Sequence, residues 1–288
     1  MQDISISVNF DSYATDAVQL EVELGGSPIL FGIWDVRGQW RNRTLKPLGP
    51  WTKCCEYDEN GCDYLELDLP LTNDYRLQRF FLLDHDDRLL VLADTLLWDG
   101  DRFPRSTGYD NLFYESTLLH SPHLTPRKTP ETSERTFYPI RPLRAAPVFR
   151  VLPLALPEWK EPEWQNAEID GMVGGELEVE NSAISYRLQS SGVSLFAPLV
   201  FDLDPNRLKK PYTWRRLTVG ENMMKVPEDR AAAFRFQLGK EQFLLYHSMT
   251  EQANRTVLGH NLIDDLCFAR FDPDTGVEPL VEVQQDLE

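Results

Sequence analysis

The sequence predicts an all-β protein, a large antiparallel β-sandwich of the stacked-sheet, supersandwich-like kind. Three observations carry this expectation. Period-two segments bounded by turn residues recur along the whole chain. Helical patterns of the length a βαβ unit needs are missing between them. Finally, residues 79–94 read as a hairpin whose two runs, Phe80-Phe81-Leu82-Leu83 and Leu89-Leu90-Val91-Leu92-Ala93, do not alternate. A strand with one wet face alternates, whereas a strand apolar on both sides is covered on both sides. The hairpin, turning through Asp84-His85-Asp86-Asp87, therefore belongs inside a multilayered stack.

The other elements follow in chain order. Residues 4–8 alternate from the start, with Ile4, Ile6 and Val8 on one side. Val18, Leu20, Val22 and Leu24 share a face opposite Gln19, Glu21 and Glu23, and Gly25-Gly26-Ser27 turns the chain into Ile29-Leu30-Phe31. Residues 63–69 alternate after an Asn60-Gly61 turn. Residues 176–180 are expected to pair with 184–188 across Asn181-Ser182, and 234–238 with 242–246 across Gly239-Lys240. Residues 267–271 turn through 272–276 into a last strand ending near Val283. The helical candidates are short turns at 228–230 and 251–254.

Two segments read as connections. Residues 121–135 (SPHLTPRKTPETSER) are rich in Pro, Thr and charge and are expected to form a mobile loop. Residues 156–165 (LPEWKEPEWQ) repeat Pro-Glu-Trp and are expected to cross between sheets or lobes, the tryptophans arguing against a floppy linker. At 288 residues the expectation is a single large β-sandwich domain, 1–288, with two lobes, 1–155 and 170–288 joined by 156–169, as the alternative.

The formal net charge of −17 repels phosphate backbones and anionic lipids, so neither nucleic acid nor membrane is an expected partner. No apolar run reaches the about 20 residues of a membrane helix. The N-terminus has no basic or apolar leader region, so the chain as written is expected to be cytoplasmic; an exported protein with its leader removed would read the same way. The four cysteines, in a C-C-x6-C cluster plus the remote Cys267, fit no zinc-ribbon or zinc-finger spacing. A Cys55–Cys62 disulfide across the turn stays open as a minor alternative, disfavoured by a reducing compartment.

Residues 272–278, 58–63 and 202–206 have the alternating oxygens of calcium loops, but Asp, Asn, Pro and Gly are also what tight turns require. His120 and His123 bracket Pro122, which removes the helix their spacing would need to bind metal. No metal and no cofactor is expected. Trp40, Arg41 and Arg43 in one segment, and Trp214, Arg215 and Arg216 in another, each place an indole beside guanidinium groups. That combination suits carbohydrate, the indole stacking on a sugar face and the guanidinium donating paired bonds, and it equally suits structural networks with the 46 acidic residues. Asn254-Arg255-Thr256 repeats the Asn42-Arg43-Thr44 triplet, formally a glycosylation sequon. Tyr246, His247 and His260 could move protons, but Tyr246 and His247 point to opposite faces of one strand. Nucleophile-elbow, phosphate-loop and dinucleotide motifs are absent from the sequence.

The segment Arg79-x-Phe81-x-Leu83 followed by residues 89–94 resembles a hairpin of the β-sandwich domain in heparinase II/III-type polysaccharide lyases. Other segments, Leu156-Pro157-Glu158-Trp159, Thr213-Trp214-Arg215 and residues 254–259, resemble an uncharacterised planctomycete-type bacterial family, a resemblance that spans most of the chain and brings no function. The lyase resemblance implies a β-sandwich fold. Those enzymes join the sandwich to a helical toroid with the active site between them, and no helical half is written in these residues.

The leading expectation is a non-catalytic carbohydrate-binding or accessory protein, with polysaccharide or oligosaccharide as partner and Trp40, Arg41, Arg43, Trp214, Arg215, Arg216, Arg255 and His260 as ligand-binding residues. The alternatives are a carbohydrate-active enzyme of polysaccharide-lyase type, with His247 or His260 as proton acceptor, and a structural protein whose open sheet edges recruit a partner. Oligomeric state stays open.

Overall fold

The doubly apolar hairpin sits at the centre of the molecule. In the computed structural model, which describes residues 3–10, 17–59, 61–100, 112–128, 131–141, 145–160, 173–272 and 276–284, the strands form four antiparallel sheets and no helix occurs among these residues.

The first sheet has the order β1 (Ile4–Phe10), β2 (Val18–Leu24), β3 (Ser27–Trp40), β9 (Leu112–His120), β14 (Ala183–Ser190) and β13 (Val173–Glu180), with β4 (Arg43–Leu45) on the end of β3. The central sheet runs β10 (Leu124–Lys128), β11 (Arg135–Pro139), β12 (Phe149–Pro153), β15 (Leu195–Asp202), β8 (Leu89–Trp98), β7 (Tyr75–Asp84), β6 (Cys62–Leu71) and β5 (Thr52–Glu59). A third sheet runs β16 (Tyr212–Leu217), β19 (Ala231–Leu238), β20 (Glu241–Ser248), β23 (Leu266–Asp272) and β24 (Gly276–Val283). A small cap sheet consists of β18 (Met224–Lys225), β17 (Gly220–Glu221), β21 (Arg255–Val257) and β22 (His260–Leu262).

Strand alternation stacks these sheets. In β7 and β8, Arg79 lies opposite Asp94 and Phe81 opposite Leu92 on one face, while Phe80 opposite Ala93 takes the other. The first face meets the first sheet: Trp34 and Phe81 stand edge to face at 5.5 Å, and Arg79 Nη1 donates to the Trp34 carbonyl at 2.9 Å. The second face meets the third sheet, with Phe196 packed 5.8 Å from Phe80 and 6.1 Å from Phe234. One cluster of buried apolar residues runs from Val18 to Val283 through both interfaces. A separate small core, containing Val219, Ala233, Leu244, Tyr246, Val257 and Cys267, fills the space between the third sheet and the cap. The cap covers the outer side of the third sheet because β19 and β20 direct small or apolar residues there as well as inward.

Two ion pairs replace apolar contacts inside this stack. Arg79 and Asp94, both with 0% exposure, pair through two bonds, Nε to Oδ1 at 2.7 Å and Nη2 to Oδ2 at 2.9 Å. Asp202 is held by Arg207 at 2.8 Å; burial raises its pKa and Arg207 opposes the rise.

One sequence expectation is corrected. Residues 121–135 are not a free loop: β10 pairs with β11, and Thr132, Ser133, Glu134 and Arg135 are buried. Arg135 holds them by donating to the carbonyls of Ser133, Glu134 and Leu177, the last on the first sheet. Pro126 is tolerated because β10 is an edge strand. The 156–165 segment is described as far as Lys160; Trp159 bridges to Thr132, Leu156 is buried, and Trp164 lies outside the described residues. All four cysteines are free thiols, Cys55 lying opposite Glu66 and Cys62 opposite Glu59 across the β5–β6 pair.

Candidate functional site

A groove of about 560 Å³ opens where the cap sheet meets the chain leaving β20. Its residues come from three stretches. The β17–β18 hairpin supplies Glu221 and Lys225; its turn residues Asn222 and Met223 take positive φ values of 50° and 65°. Such left-handed pairs fit the twist of a two-residue hairpin. The Pro227 turn supplies Arg230, and the segment after β20 supplies Thr250 and Glu251.

Arg255 on β21 forms the foot of the groove, 3% exposed. Its Nε donates to Glu221 at 3.0 Å, Nη1 to the Ser248 hydroxyl at 2.6 Å and to Tyr246 Oη at 3.3 Å, and Nη2 to Thr250 Oγ1 at 2.7 Å. The side chain points inward because Arg255 and Val257 share the buried face of β21, Thr256 taking the exposed one. Burial raises the pKa of Tyr246 and the neighbouring Arg255 opposes that rise.

The remaining residues singled out by sequence lie elsewhere, on three different sheets. Trp40, at the end of β3, is buried against Tyr75 at 5.7 Å and Trp98 at 5.5 Å, with Arg41 over its ring at 4.4 Å and Arg43 exposed on β4. Trp214 on β16 is buried, its indole donating to the Leu156 carbonyl at 2.8 Å; Arg215 is exposed and Arg216 is paired with Glu228. Both indoles are therefore packing residues in this fold. His260 sits on β22, the cap's edge strand, with its ring 6.2 Å from Phe271. Arg255 alone among the eight lines the groove.

Tyr246 and His247 occupy opposite faces of β20, as alternation requires. Tyr246 faces the cap and Arg255. His247 faces the central sheet, 4.8 Å from Phe196, with Nδ1 2.9 Å from the Asp265 carbonyl. That carbonyl can only accept, so Nδ1 carries the proton and Nε2 is bare, buried and without a partner. Burial, the dominant cause, lowers the His247 pKa to about 4. His120 is likewise buried against Phe137, at 5.0 Å, while His123 is exposed in the following turn, so the two histidines share no site. His85 pairs with Asp63 at 2.8 Å on the hairpin tip.

Among the calcium-like segments, 202–206 is a turn held by its own side chains: Asp204 Oδ1 accepts from the Asn206 amide at 3.0 Å and Asp202 Oδ1 from Arg207. In the segment 58–63, Asn60 lies outside the described residues, as do residues 273–275 of the last loop.

No family model and no curated protein matches the chain. Among solved structures it is similar to a heparinase III, at a TM-score of 0.46 and 8% identity over 84% of this chain and 38% of that one. It is also similar to the heparan sulfate lyase HepC of Pedobacter heparinus, at a TM-score of 0.38 and 10% identity over 82% of this chain and 40% of that one. The chain thus spans about two fifths of the length of these proteins.

Proposed function

We propose that the protein is a non-catalytic carbohydrate-binding accessory protein, and that the Arg255 groove receives an acidic sugar unit of a polysaccharide or oligosaccharide. The observation that carries this reading is the buried guanidinium at the foot of an open groove. Its four side-chain partners occupy four of the five N–H donors an arginine has, leaving one for a ligand. The groove's size lies within the roughly 300–1,000 Å³ range of small-ligand sites. Lys225 and Arg230, both exposed, stand with Arg255 against Glu221 and Glu251, a local excess of positive charge in a chain of net charge −17. Hydroxyl-rich ligands suit the Thr250, Gln252 and glutamate acceptors, and a sugar carboxylate suits the cations.

The test is a calorimetric titration with a uronic-acid oligosaccharide. Replacing Lys225 and Arg230 together by alanine is expected to weaken binding at least about tenfold, the scale of one lost charge-assisted bond. Both side chains are exposed, so the double variant is expected to stay folded, as a cooperative thermal transition would show. Equal affinity in the folded double variant would contradict the proposal.

The lyase reading has one observation in its favour, the Tyr246 hydroxyl 3.3 Å from Arg255. Against it, the phenol has 0% exposure beneath the groove floor, and His247 lies across the sheet. Incubation with a panel of uronic-acid polysaccharides is expected to yield no unsaturated, ultraviolet-absorbing product.

A further inference from the structure

A second polar cluster lies at the β5–β6–β7 end of the central sheet, away from the groove. A β-bulge between Lys53 and Cys55 takes Cys54 out of register with β6. As a result its sulfur and carboxylate oxygens of Glu66 and Asp68 lie within 4.8 Å of one another. Glu66 and Asp68 reach the same spot because they are two apart on β6 and share a face.

The carboxylates are oriented by neighbours rather than left to move. Glu66 accepts from the Tyr64 hydroxyl at 2.6 Å and from Gln78 Nε2 at 2.7 Å. Asp68 Oδ2 is paired with Arg76. Two acceptors at the cluster remain unsatisfied. Asp68 Oδ1 is buried with no hydrogen-bond donor. So is Gln78 Oε1, on a residue 3% exposed whose amide already touches Glu66 and which lies directly opposite Asp68 across the β6–β7 pair. A buried acceptor without a donor is unfavourable, and a cation held beside the thiol would satisfy both of these.

We propose that Cys54, Glu66 and Asp68 form a Zn²⁺ site, with Gln78 Oε1 as an additional oxygen donor. One thiolate with carboxylate oxygens suits zinc, whereas calcium and magnesium take oxygen ligands. Cys54 is exposed, so the ion can enter from the sulfur side. The bonds from Tyr64 and Gln78 to Glu66, and from Arg76 to Asp68, fix the ligand carboxylates as outer partners do in metal centres. Binding exchanges the thiol proton, released to solvent, for the Zn–S bond. The competing arrangement is a thiol that simply shares its proton with Asp68.

Titration of the metal-free full chain with Co²⁺, followed by Zn²⁺, distinguishes the two. Zinc binding predicts a near-ultraviolet thiolate-to-cobalt band that saturates at equimolar metal and is abolished by Zn²⁺. Cys54→Ser is expected to lose the band, Asp68→Asn to weaken affinity at least about tenfold, and Cys55→Ser to retain both band and affinity. Cys54 sits exposed on a bulge, so its serine variant is expected to keep the wild-type melting temperature. Absence of the band in wild type, or its persistence in Cys54→Ser, would overturn the proposal.

Discussion

Replacing Asp94 by alanine is expected to remove about 3–5 kcal/mol of stability, the scale seen when one partner of a buried ion pair is deleted. Asp94 accepts both bonds from Arg79 and a third from the Tyr114 hydroxyl at 2.8 Å. Arg79 has 0% exposure and lies over the Trp34 and Trp51 rings, so water cannot replace the lost carboxylate. Against a total stability of roughly 5–15 kcal/mol for a globular domain, that is a large share of the margin that keeps the chain folded. The combination Arg79→Met, Asp94→Leu and Tyr114→Phe removes the ion pair and the phenol bonded to it at once and is expected to recover most of the loss. Urea unfolding of the three proteins measures it. A loss below about 1 kcal/mol in Asp94→Ala would show that the pair is not desolvated as the stacked sheets require.

The second large effect is a pH dependence centred on His247. In the unfolded chain the imidazole takes up a proton near 6.5, whereas the folded site stays neutral until about 4. Between those values the unfolded state binds more protons, so stability is full above the unfolded value and falls as the pH is lowered through the window. The shift corresponds to about 3 kcal/mol in all. Carboxylates with raised values act in the opposite sense: Asp84, raised to about 6 by burial, contributes stability that is lost as pH rises through its folded value. A difference between wild type and His247→Phe isolates the histidine. Phenylalanine fits between Phe80 and Phe196, and the Asp265 carbonyl keeps its bond from the Ser248 amide at 2.7 Å. On going from about pH 7.5 to about pH 4.5, wild type is expected to lose about 2–3 kcal/mol more than the variant. Parallel pH profiles would mean that His247 is hydrated in the folded state.

What the sequence conveyed and what it withheld have physical reasons. Local patterns carried the strands: the buried–exposed alternation of Val18–Leu24 is what its residue types dictate, and Asn181-Ser182, with φ of 50° and 62°, makes the expected hairpin. The absence of alternation in 79–94 revealed the two-sided burial of the central sheet, since Leu82, Leu83, Leu90 and Val91 are all nearly fully covered. Long-range partners were beyond reach. Residues 121–135 read as a loop because Arg135's acceptor on Leu177 lies 42 positions away. A tryptophan beside an arginine looks the same whether it stacks on a sugar or, like Trp40 and Trp214, fills a core.

The candidate site was legible at one residue, Arg255. Its groove is assembled from separate stretches around Glu221, Arg230 and Thr250, which share no motif. The Cys54 cluster escaped a search for cysteine spacing for the same reason, as its carboxylates arrive across the β5–β6 hairpin rather than along the chain. The bulge that turns Cys54 toward them has no signature in residue type.

Calorimetry of the wild-type chain against a panel of neutral and uronic-acid oligosaccharides, at low and high salt, tests the Arg255 groove most directly. The Arg255 groove predicts saturable binding of the acidic members, weakened by salt as screening reduces the contribution of Lys225 and Arg230. No heat with any acidic member, or equal binding of neutral and acidic ones independent of salt, would contradict it.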